Sequence, residues 1–374
     1  MRLFSRGKRA SGARTITASR SMFMHDIATQ ALRFIDPETA HRAAISGLKL
    51  GLGPRARADR WTRLKTKLAG LDLPNPIGLA AGFDKNCEAP DAMLAAGFGY
   101  VECGTVTPRA QEGNPRPRIF RLSADRAVIN RLGFNNEGLD PFVDRLDGRS
   151  HRGGVVGVNV GANKDSTDRI GDYVLCMGRV WRHASYVTAN ISSPNTPGLR
   201  GLQERGALEE LLGRLNEARE SLESVHGKRP LFLKVAPDLD EGAIGDIADL
   251  VVSHALDALI VSNTTIERPE HLTADDREET GGLSGQPLFQ ISTRALRLFA
   301  QALNGRLPLI GVGGVDSGAT ALAKIKAGAT AVQLYSALVY EGPGLAARIA
   351  RELDALLAAE GFSGVGEAVG VEAA

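Results

Sequence analysis

Apolar residues recur at helical spacing near the start of the chain. From Phe23 to Ile35 they fall every three or four positions, which predicts a short amphipathic helix. Asp36 and Pro37 then have the residue types of a helix N-cap and a first helical position, and the apolar pattern that follows ends at Gly53. Such a helical hairpin either packs on the main domain or lies in a membrane interface with its apolar face down.

Beyond residue 68 the pattern changes to apolar, β-branched or Gly-rich runs separated by helical segments. Alternating strands and helices imply parallel pairing with right-handed crossovers, and eight units favour a closed barrel. We therefore predict an α/β fold, a (β/α)8 TIM barrel with an N-terminal helical hairpin. The eight predicted strands are Ile77 to Asp84, Tyr100 to Thr107, Val155 to Lys164, Tyr186 to Ser193, Leu231 to Pro237, Ala258 to Ile266, Leu307 to Val315 and Ala331 to Val339.

The predicted domain organisation has three parts: a basic tail over 1–21, the hairpin over 22–54 and the barrel over 55–374. Arg118 to Leu122 and Ala127 to Asn130, between the second and third strands, predict an inserted β-hairpin over the barrel top. Six basic residues precede Asp26, the first acidic one, so the tail suits a mitochondrial transit peptide, an arm attracted to anionic lipid, or a solvated tail. No apolar run approaches the roughly 20 residues of a membrane-spanning helix.

Composition excludes several function classes. The 374 residues carry 45 Lys and Arg against 43 Asp and Glu, a net charge of +2, so the overall balance does not indicate a nucleic-acid partner. The three cysteines form no CxxC pair, and the seven histidines never fall at metal-ligand spacing. We predict a reducing compartment, no disulfide framework and no metal.

Polar residues follow several of the predicted strands. Lys85 ends the first strand region, Asn190 and Ser193 the fourth, and Ser262 and Asn263 the sixth. The active site of such a barrel lies at the C-terminal ends of its strands. Amide, hydroxyl and ammonium groups gathered there would hydrogen-bond a planar ligand rich in heteroatoms.

A phosphate site is predicted at the ends of the last two strands. Gly313 and Gly314 lead into Ser317-Gly318-Ala319, which has the features of a helix N-terminus, and the eighth strand adds Tyr335 and Ser336. A simple tight loop is the alternative.

Lys234 and Ser193 are the candidate reactive side chains. Lys234 lies in an apolar strand, where an inward lysine needs an anionic partner; it could form a Schiff base, stabilise a developing anion, or point outward from the strand end. Ser193 precedes Pro194 and Asn195 without an accompanying His-Asp pair, so a turn or N-cap serine is as consistent with the pattern as a catalytic base.

Taken together, the motifs resemble the quinone-dependent, membrane-associated class of dihydroorotate dehydrogenases. The resemblance runs from about Phe23 to the C-terminus. It is carried by the ordered motifs AAGFDKN, VECGTVTPRAQEGNPRPRIFRL, INRLGFNN, NVGANKD, NISSPNTPGLR, LKVAPD, SNTT, GGLSGQPL, GVGGV and LYSALVYEGPG.

The resemblance implies one flavin mononucleotide (FMN) per chain, dihydroorotate as substrate and a quinone, ubiquinone or menaquinone, as electron acceptor. The implied cofactor residues are Ala81, Gly82, Phe83, Asp84, Lys85, Thr105, Asn159, Asn190, Lys234, Ser262, Gly285, Gly314, Tyr335 and Ser336. The implied substrate residues are Lys85, Asn130, Arg131, Leu132, Gly133, Phe134, Asn190, Asn195, Asn263 and Thr264.

The same resemblance assigns roles to individual groups. Ser193 would remove the C5 proton of dihydroorotate as hydride leaves C6 for the flavin, with Thr196 and Phe134 around the proton's exit route. Lys85 would meet the substrate carboxylate, and Lys234 would favour the reduced, anionic flavin. His41, Arg121 and Tyr335 would border the quinone path.

Two features sort the subclass. The soluble relatives use cysteine as the base and lack the hairpin, whereas this chain has Ser193 and the Phe23 to Leu52 segment. The implied location is peripheral, on the cytoplasmic face of a bacterial inner membrane, with the mitochondrial inner membrane as the alternative. The rival functions are a soluble enzyme using fumarate or NAD, a Schiff-base lyase built on Lys234, and an inactive membrane-docked scaffold.

Overall fold

A computed structural model describes residues 30–373 of the chain. Two short strands, β1 (Thr66–Leu68) and β2 (Leu71–Leu73), pair antiparallel ahead of the main domain. Eight parallel strands then close into a barrel in the order β10-β12-β13-β3-β4-β7-β8-β9. These strands are β3 (Ile77–Leu79), β4 (Tyr100–Val106), β7 (Val155–Val160), β8 (Val187–Asn190), β9 (Leu231–Val235), β10 (Ala258–Val261), β12 (Leu309–Val312) and β13 (Ala329–Leu334).

The predicted TIM barrel is confirmed, with shorter strands than the sequence pattern suggested. Each predicted run overlaps one barrel strand, but the polar residues at its C-terminal end leave the hydrogen-bonded ladder and form the barrel rim. Ten α-helices surround the described barrel and cover its top. They are α1 (Pro37–Lys49), α2 (Pro90–Ala95), α3 (Leu139–Asp147), α4 (Arg169–Val180), α5 (Arg205–His226), α6 (Glu241–Ser253), α7 (Leu288–Leu303), α8 (Gly318–Lys326), α9 (Leu338–Glu341) and α10 (Leu345–Ala359).

A three-stranded antiparallel sheet covers the C-terminal end of the barrel. The predicted inserted hairpin is present as β5 (Ile119–Leu122) and β6 (Ala127–Asn130). A third strand, β11 (Gly282–Gly285), pairs with β6 and was not predicted, because four residues containing two glycines carry no strand pattern of their own. We call these three strands the cap sheet.

The second helix of the predicted hairpin is α1, which begins as its sequence indicates. The Asp36 side chain accepts a hydrogen bond from the Thr39 N–H (2.9 Å), and Pro37 occupies the first helical position. Ala40, Ile45 and Leu48 are buried against the barrel top. Most of the predicted first helix and the whole predicted basic tail lie outside the described residues. Of that helix, residues 30–35 are described; residues 30–32 are helical and residues 33–35 form a turn.

Aromatic side chains fill the opposite end of the barrel. Tyr100, Tyr186 and Phe232 project inward, with Tyr186 and Phe232 stacked at 4.5 Å between ring centroids. Gly78 and Gly157 make room for them, since a Cβ at either position would come within 2.2 and 2.1 Å of the Tyr100 and Tyr186 rings. The interior is therefore packed at this end, and the open space lies at the C-terminal ends of the strands.

Candidate active site

A cavity of about 840 Å³ lies between the barrel rim, the cap sheet and α1. Most of the residues predicted to act on cofactor, substrate or quinone line it. The lining members of those predicted sets are His41, Ala81, Gly82, Phe83, Lys85, Thr105, Arg121, Asn130, Leu132, Gly133, Phe134, Asn190, Ser193, Asn195, Lys234, Ser262, Asn263, Thr264, Gly285, Gly314, Tyr335 and Ser336.

Two of the predicted contact residues have side chains committed elsewhere. The buried Asp84 carboxylate accepts hydrogen bonds from the backbone N–H groups of Glu88 (2.8 Å) and Ala89 (2.7 Å), so it organises the turn that enters α2. Arg131 donates to Glu279 (2.6 Å), away from the cavity. The structure thus does not place either side chain on the cavity wall, because each has a local partner that the linear motif does not reveal.

Asn159 and Thr196 lie just behind the cavity wall. Asn159 is fully buried, and its amide oxygen accepts from the hydroxyl of Thr105 (2.6 Å), a lining residue. The Thr196 hydroxyl is buried and has no hydrogen-bond partner within residues 30–373. Neither side chain lines the cavity itself, and Asn159 is linked to it through Thr105.

Ser193 sits on the loop after β8 and is almost fully buried. The Asn195 N–H donates to its Oγ (3.3 Å), and no histidine or acidic side chain hydrogen-bonds to it in the part of the chain described. A serine in this setting is not an acyl-transfer nucleophile of the Ser-His-Asp type. It is a buried hydroxyl on the cavity wall.

Uncharged amides from three strand ends meet beside Ser193. Asn190 donates to Thr105 (3.0 Å), and its carbonyl oxygen accepts from Asn263 (3.4 Å), while Asn195 donates to Asn130 of the cap sheet (3.3 Å). The interlinked amides are fixed in orientation before any ligand binds. They present both donors and acceptors to one small volume.

Lys85 is the cationic group at this end of the cavity. Burial lowers the pKa of Lys85 to about 8. The charge of Glu38 on α1 raises this pKa, and the charge of Arg118 lowers it further. The Glu38 carboxylate accepts two hydrogen bonds from Arg118 (2.7 and 3.0 Å). An anion placed against Lys85 would replace lost solvation and favour its charged form.

Lys234 lies on β9 inside the barrel, where a lysine needs an anionic group nearby. The fully buried Glu102 on β4 is that group. Burial lowers the pKa of Lys234, and the Glu102 charge raises it. Lys234 makes no hydrogen bond with any described residue, and it lines the cavity. The sequence pattern predicted an anionic partner for Lys234 but did not identify it as Glu102. Because side chains alternate along a strand and Tyr100 points inward, Glu102 two residues later could have been predicted to point into the barrel as well.

A cradle of backbone lies at the ends of β12 and β13. Gly313 and Gly314 have φ of +105° and +73°, and a Cβ on Gly314 would come within 2.4 Å of Phe289. The Ser336 hydroxyl donates to Ser284 of the cap sheet (2.7 Å). Within residues 30–373, the backbone N–H groups of Gly314 and Ser336 have no acceptor, so they can receive a phosphate.

The predicted contribution of the Ser317-Gly318-Ala319 helix N-terminus to this phosphate site is wrong. Ser317 caps its own helix through Thr320, and the Gly318 N–H donates to Glu352 (2.8 Å). A carboxylate from α10 already occupies that N-terminus. Sequence spacing alone could not show it, because residues 318 and 352 are far apart in the chain.

The other end of the cavity is aromatic and apolar. His41 of α1 lies edge-on to Phe83 (5.5 Å between centroids), which is also edge-on to Tyr335 (5.7 Å). Burial lowers the pKa of His41 to about 4, so its neutral ring donates from Nε2 to the Phe83 carbonyl oxygen (2.7 Å). Arg121 donates to the carbonyl oxygens of residues 33 and 35 (3.0 and 2.7 Å) and so ties the hairpin to the cap sheet.

Comparison with known proteins identifies the family. The family model described as "Dihydroorotate dehydrogenase" matches residues 63–357. The chain belongs to the dihydroorotate dehydrogenase family. Among curated relatives, "Dihydroorotate dehydrogenase (quinone)" of Mesorhizobium japonicum is 56% identical over 332 residues, covering 89% of this chain and 92% of the relative. The protein of the same name from Bradyrhizobium diazoefficiens is 53% identical over 344 residues, covering 92% and 94%.

Solved structures of the family support the same assignment. The dihydroorotate dehydrogenase of Eimeria tenella in complex with ferulenol has a TM-score of 0.87 at 41% identity, covering 90% of this chain and 96% of that one. The ligand-free form has a TM-score of 0.86 at 42% identity, covering 90% and 99%. Among residues 30–373 no helix is both long and apolar enough to cross a bilayer, and no cluster of three potential metal ligands occurs there.

Proposed function

We propose that this chain oxidises dihydroorotate to orotate in pyrimidine synthesis, using FMN and passing the electrons to a membrane quinone. Family membership and the 52–56% identity to proteins named for the quinone-linked reaction support the proposal. The observation that carries it is the convergence of Asn130, Asn195 and Asn263 with Lys85 around Ser193, in one cavity.

The residues present fit a bound flavin. Lys234 faces the cavity without a hydrogen-bond partner among the described residues, and the cradle of Gly314 and Ser336 offers free N–H groups for the phosphate. Thr105 and Asn190 line the same cavity. When bound, the flavin supplies a two-electron acceptor that takes hydride from the substrate and releases electrons singly or in pairs to quinone.

Substrate recognition falls to uncharged amides and one lysine. A dihydropyrimidine ring offers alternating N–H donors and carbonyl acceptors, which Asn130, Asn195, Asn263 and Thr264 can each match with an amide or hydroxyl. Lys85 binds the carboxylate as its counter-ion. These contacts orient the ring so that C5 faces Ser193.

Ser193 Oγ accepts the C5 proton. Its ordinary pKa is far above neutral, so it works only if the proton moves on as it arrives, which requires an acceptor held close by. The buried Thr196 hydroxyl, which has no hydrogen-bond partner among the described residues and lies three residues away in the same loop, is suited to relay the proton toward solvent by accepting it and releasing its own. Phe134, buried over this region, excludes bulk water.

The apolar end of the cavity is the proposed quinone path. Its walls are Ala40, Ala44 and Leu48 of α1, with His41 and Tyr335 toward the barrel. Arg121 holds the hairpin over this opening. Exposed Phe34 and Leu50 on the outer surface suit a peripheral position on a membrane, which we place at the cytoplasmic face of a bacterial inner membrane.

One anaerobic experiment tests both half-reactions. The visible spectrum of the purified chain is recorded before and after adding dihydroorotate, and again after a ubiquinone analogue. We expect the oxidised flavin band to bleach and then return. A colourless protein, or a flavin that dihydroorotate leaves oxidised, would overturn the proposal and reopen the lyase and scaffold alternatives.

A further inference from the structure

Glu102 is a buried carboxylate inside the barrel, and both of its oxygens accept hydrogen bonds. It is fully buried on β4, and its two oxygens accept from Asn159 (2.8 Å), Tyr186 (3.0 Å), Thr188 (3.2 Å) and Gln333 (3.0 Å). The donors come from β7, from β8 and the residue before it, and from β13. Because all four donors are neutral, they solvate a charge without cancelling it.

The charged group that Glu102 can influence is the Lys234 ammonium, which faces the same barrel interior from β9. The two groups share no hydrogen bond, so Glu102 acts on Lys234 through space. In the low dielectric of the barrel interior such an interaction is stronger than in water. Burial lowers the pKa of Lys234 and Glu102 raises it, so the ammonium charge on the cavity floor depends on this carboxylate.

Glu102 also sets the orientation of the amides that line the cavity. A carboxylate can only accept, so the Asn159 amide must turn its NH2 toward Glu102 and its oxygen outward. That oxygen accepts from Thr105 (2.6 Å) and Asn190 (3.1 Å). The Asn190 oxygen is thereby left to accept from Asn263, which reaches the substrate end of the cavity (3.4 Å).

We propose that Glu102 is a positioning residue for this reaction: it keeps Lys234 charged on the cavity wall, where a flavin would bind, and fixes the polarity of the Asn159–Asn190–Asn263 amide chain. This inference rests on the proposed function. It assigns to a buried core residue a role in both cofactor electronics and substrate orientation.

The test counts the protons taken up when the bound flavin is reduced. The number of protons taken up for every two electrons is given by the slope of the flavin reduction potential against pH, measured between pH 6 and 9. If Glu102 keeps Lys234 charged before and after reduction, as proposed, two electrons bring one proton. In Glu102→Gln, Lys234 is neutral beside oxidised flavin and regains its proton on reduction, so the count rises toward two. We also expect the dissociation constant for FMN to rise about tenfold or more.

Tyr186→Phe is the matched control. It removes one hydrogen bond to Glu102 from the same buried cluster but keeps both charges, so the count should stay at one. A folded Glu102→Gln chain with one proton per electron pair and native FMN affinity would show that Glu102 is merely structural.

Two further measurements keep the inference testable if Glu102→Gln does not fold. Glu102→Asp keeps the charge and should keep the count at one. A count of two in the native chain would itself overturn the inference, since Lys234 would then titrate despite Glu102. Failure of the native chain to bind FMN at all would instead refute the proposed function, so the two failures are distinguishable.

Discussion

The exposed apolar residues of the hairpin predict a large loss of membrane affinity when they are made polar. Phe34, Leu50 and Leu52 are 91%, 78% and 69% exposed, and Leu52 also lines the cavity. Burying a side chain of this size contributes about 2 kcal/mol. Allowing for partial exposure, the three together contribute about 5 kcal/mol, which corresponds to over a thousandfold in the partition coefficient. Replacing all three with serine should therefore release the chain from vesicles.

The assay is sedimentation of the full chain with vesicles of mixed zwitterionic and anionic lipid. Val225→Ser is the matched control: Val225 is 73% exposed but lies near the C-terminal end of α5, at the opposite end of the barrel. We expect the control to pellet with vesicles like the native chain and the triple variant to stay in the supernatant. Flavin content and reduction by dihydroorotate should be unchanged in both. A triple variant that pellets as the native chain does would refute the assignment of the hairpin as the membrane contact.

Three further predictions concern the cavity itself. Ser193→Ala should retain flavin while its reduction by dihydroorotate slows by orders of magnitude in stopped-flow measurements; a native rate would remove Ser193 from the mechanism. Orotate binding, followed by the flavin spectrum, should weaken as the pH rises through about 8, because Lys85 then loses the charge that holds the carboxylate, and Lys85→Met should abolish this dependence. Gly314→Ala should weaken FMN binding about fivefold or more, since overpacking against Phe289 costs about 1–3 kcal/mol. Gly305→Ala shares a positive φ but has open space around it, so its FMN affinity should be native.

Regular features of the fold could be predicted because they depend on local pattern. The eight strand runs, the Asp36 cap and the hairpin of β5 and β6 each show periodicity or capping chemistry within a short window. β11 could not be found in this way. Its pairing with β6 joins residues about 155 positions apart, and its own sequence carries no alternation.

The position of a candidate residue on the cavity could be predicted where the strand end sets its surroundings, and could not where a distant partner decides. Lys85, Asn190 and Ser193 lie on the cavity because the barrel rim puts them there. Asp84 is turned away by the backbone N–H groups of the α2 entry, and the α8 N-terminus is occupied by Glu352. These outcomes depend on tertiary contacts that residue type and spacing do not encode.

The hairpin supports the proposed chemistry as well as the proposed membrane contact. Burial pushes the pKa of Glu38 on α1 upward, but its hydrogen bond from Arg118 and the charges of Arg118 and Arg116 outweigh this and hold it below the usual value. The resulting carboxylate supports the charged form of Lys85 at the proposed substrate site. One turn further along α1, His41 is neutral and faces Tyr335 on the proposed quinone path. A single helix thus places a charge at the polar end of the cavity and an uncharged ring at the apolar end, so correct docking of α1 is required at both. Loosening α1 should impair both half-reactions together, which is a physical reason for the hairpin to be part of the same folded unit as the barrel.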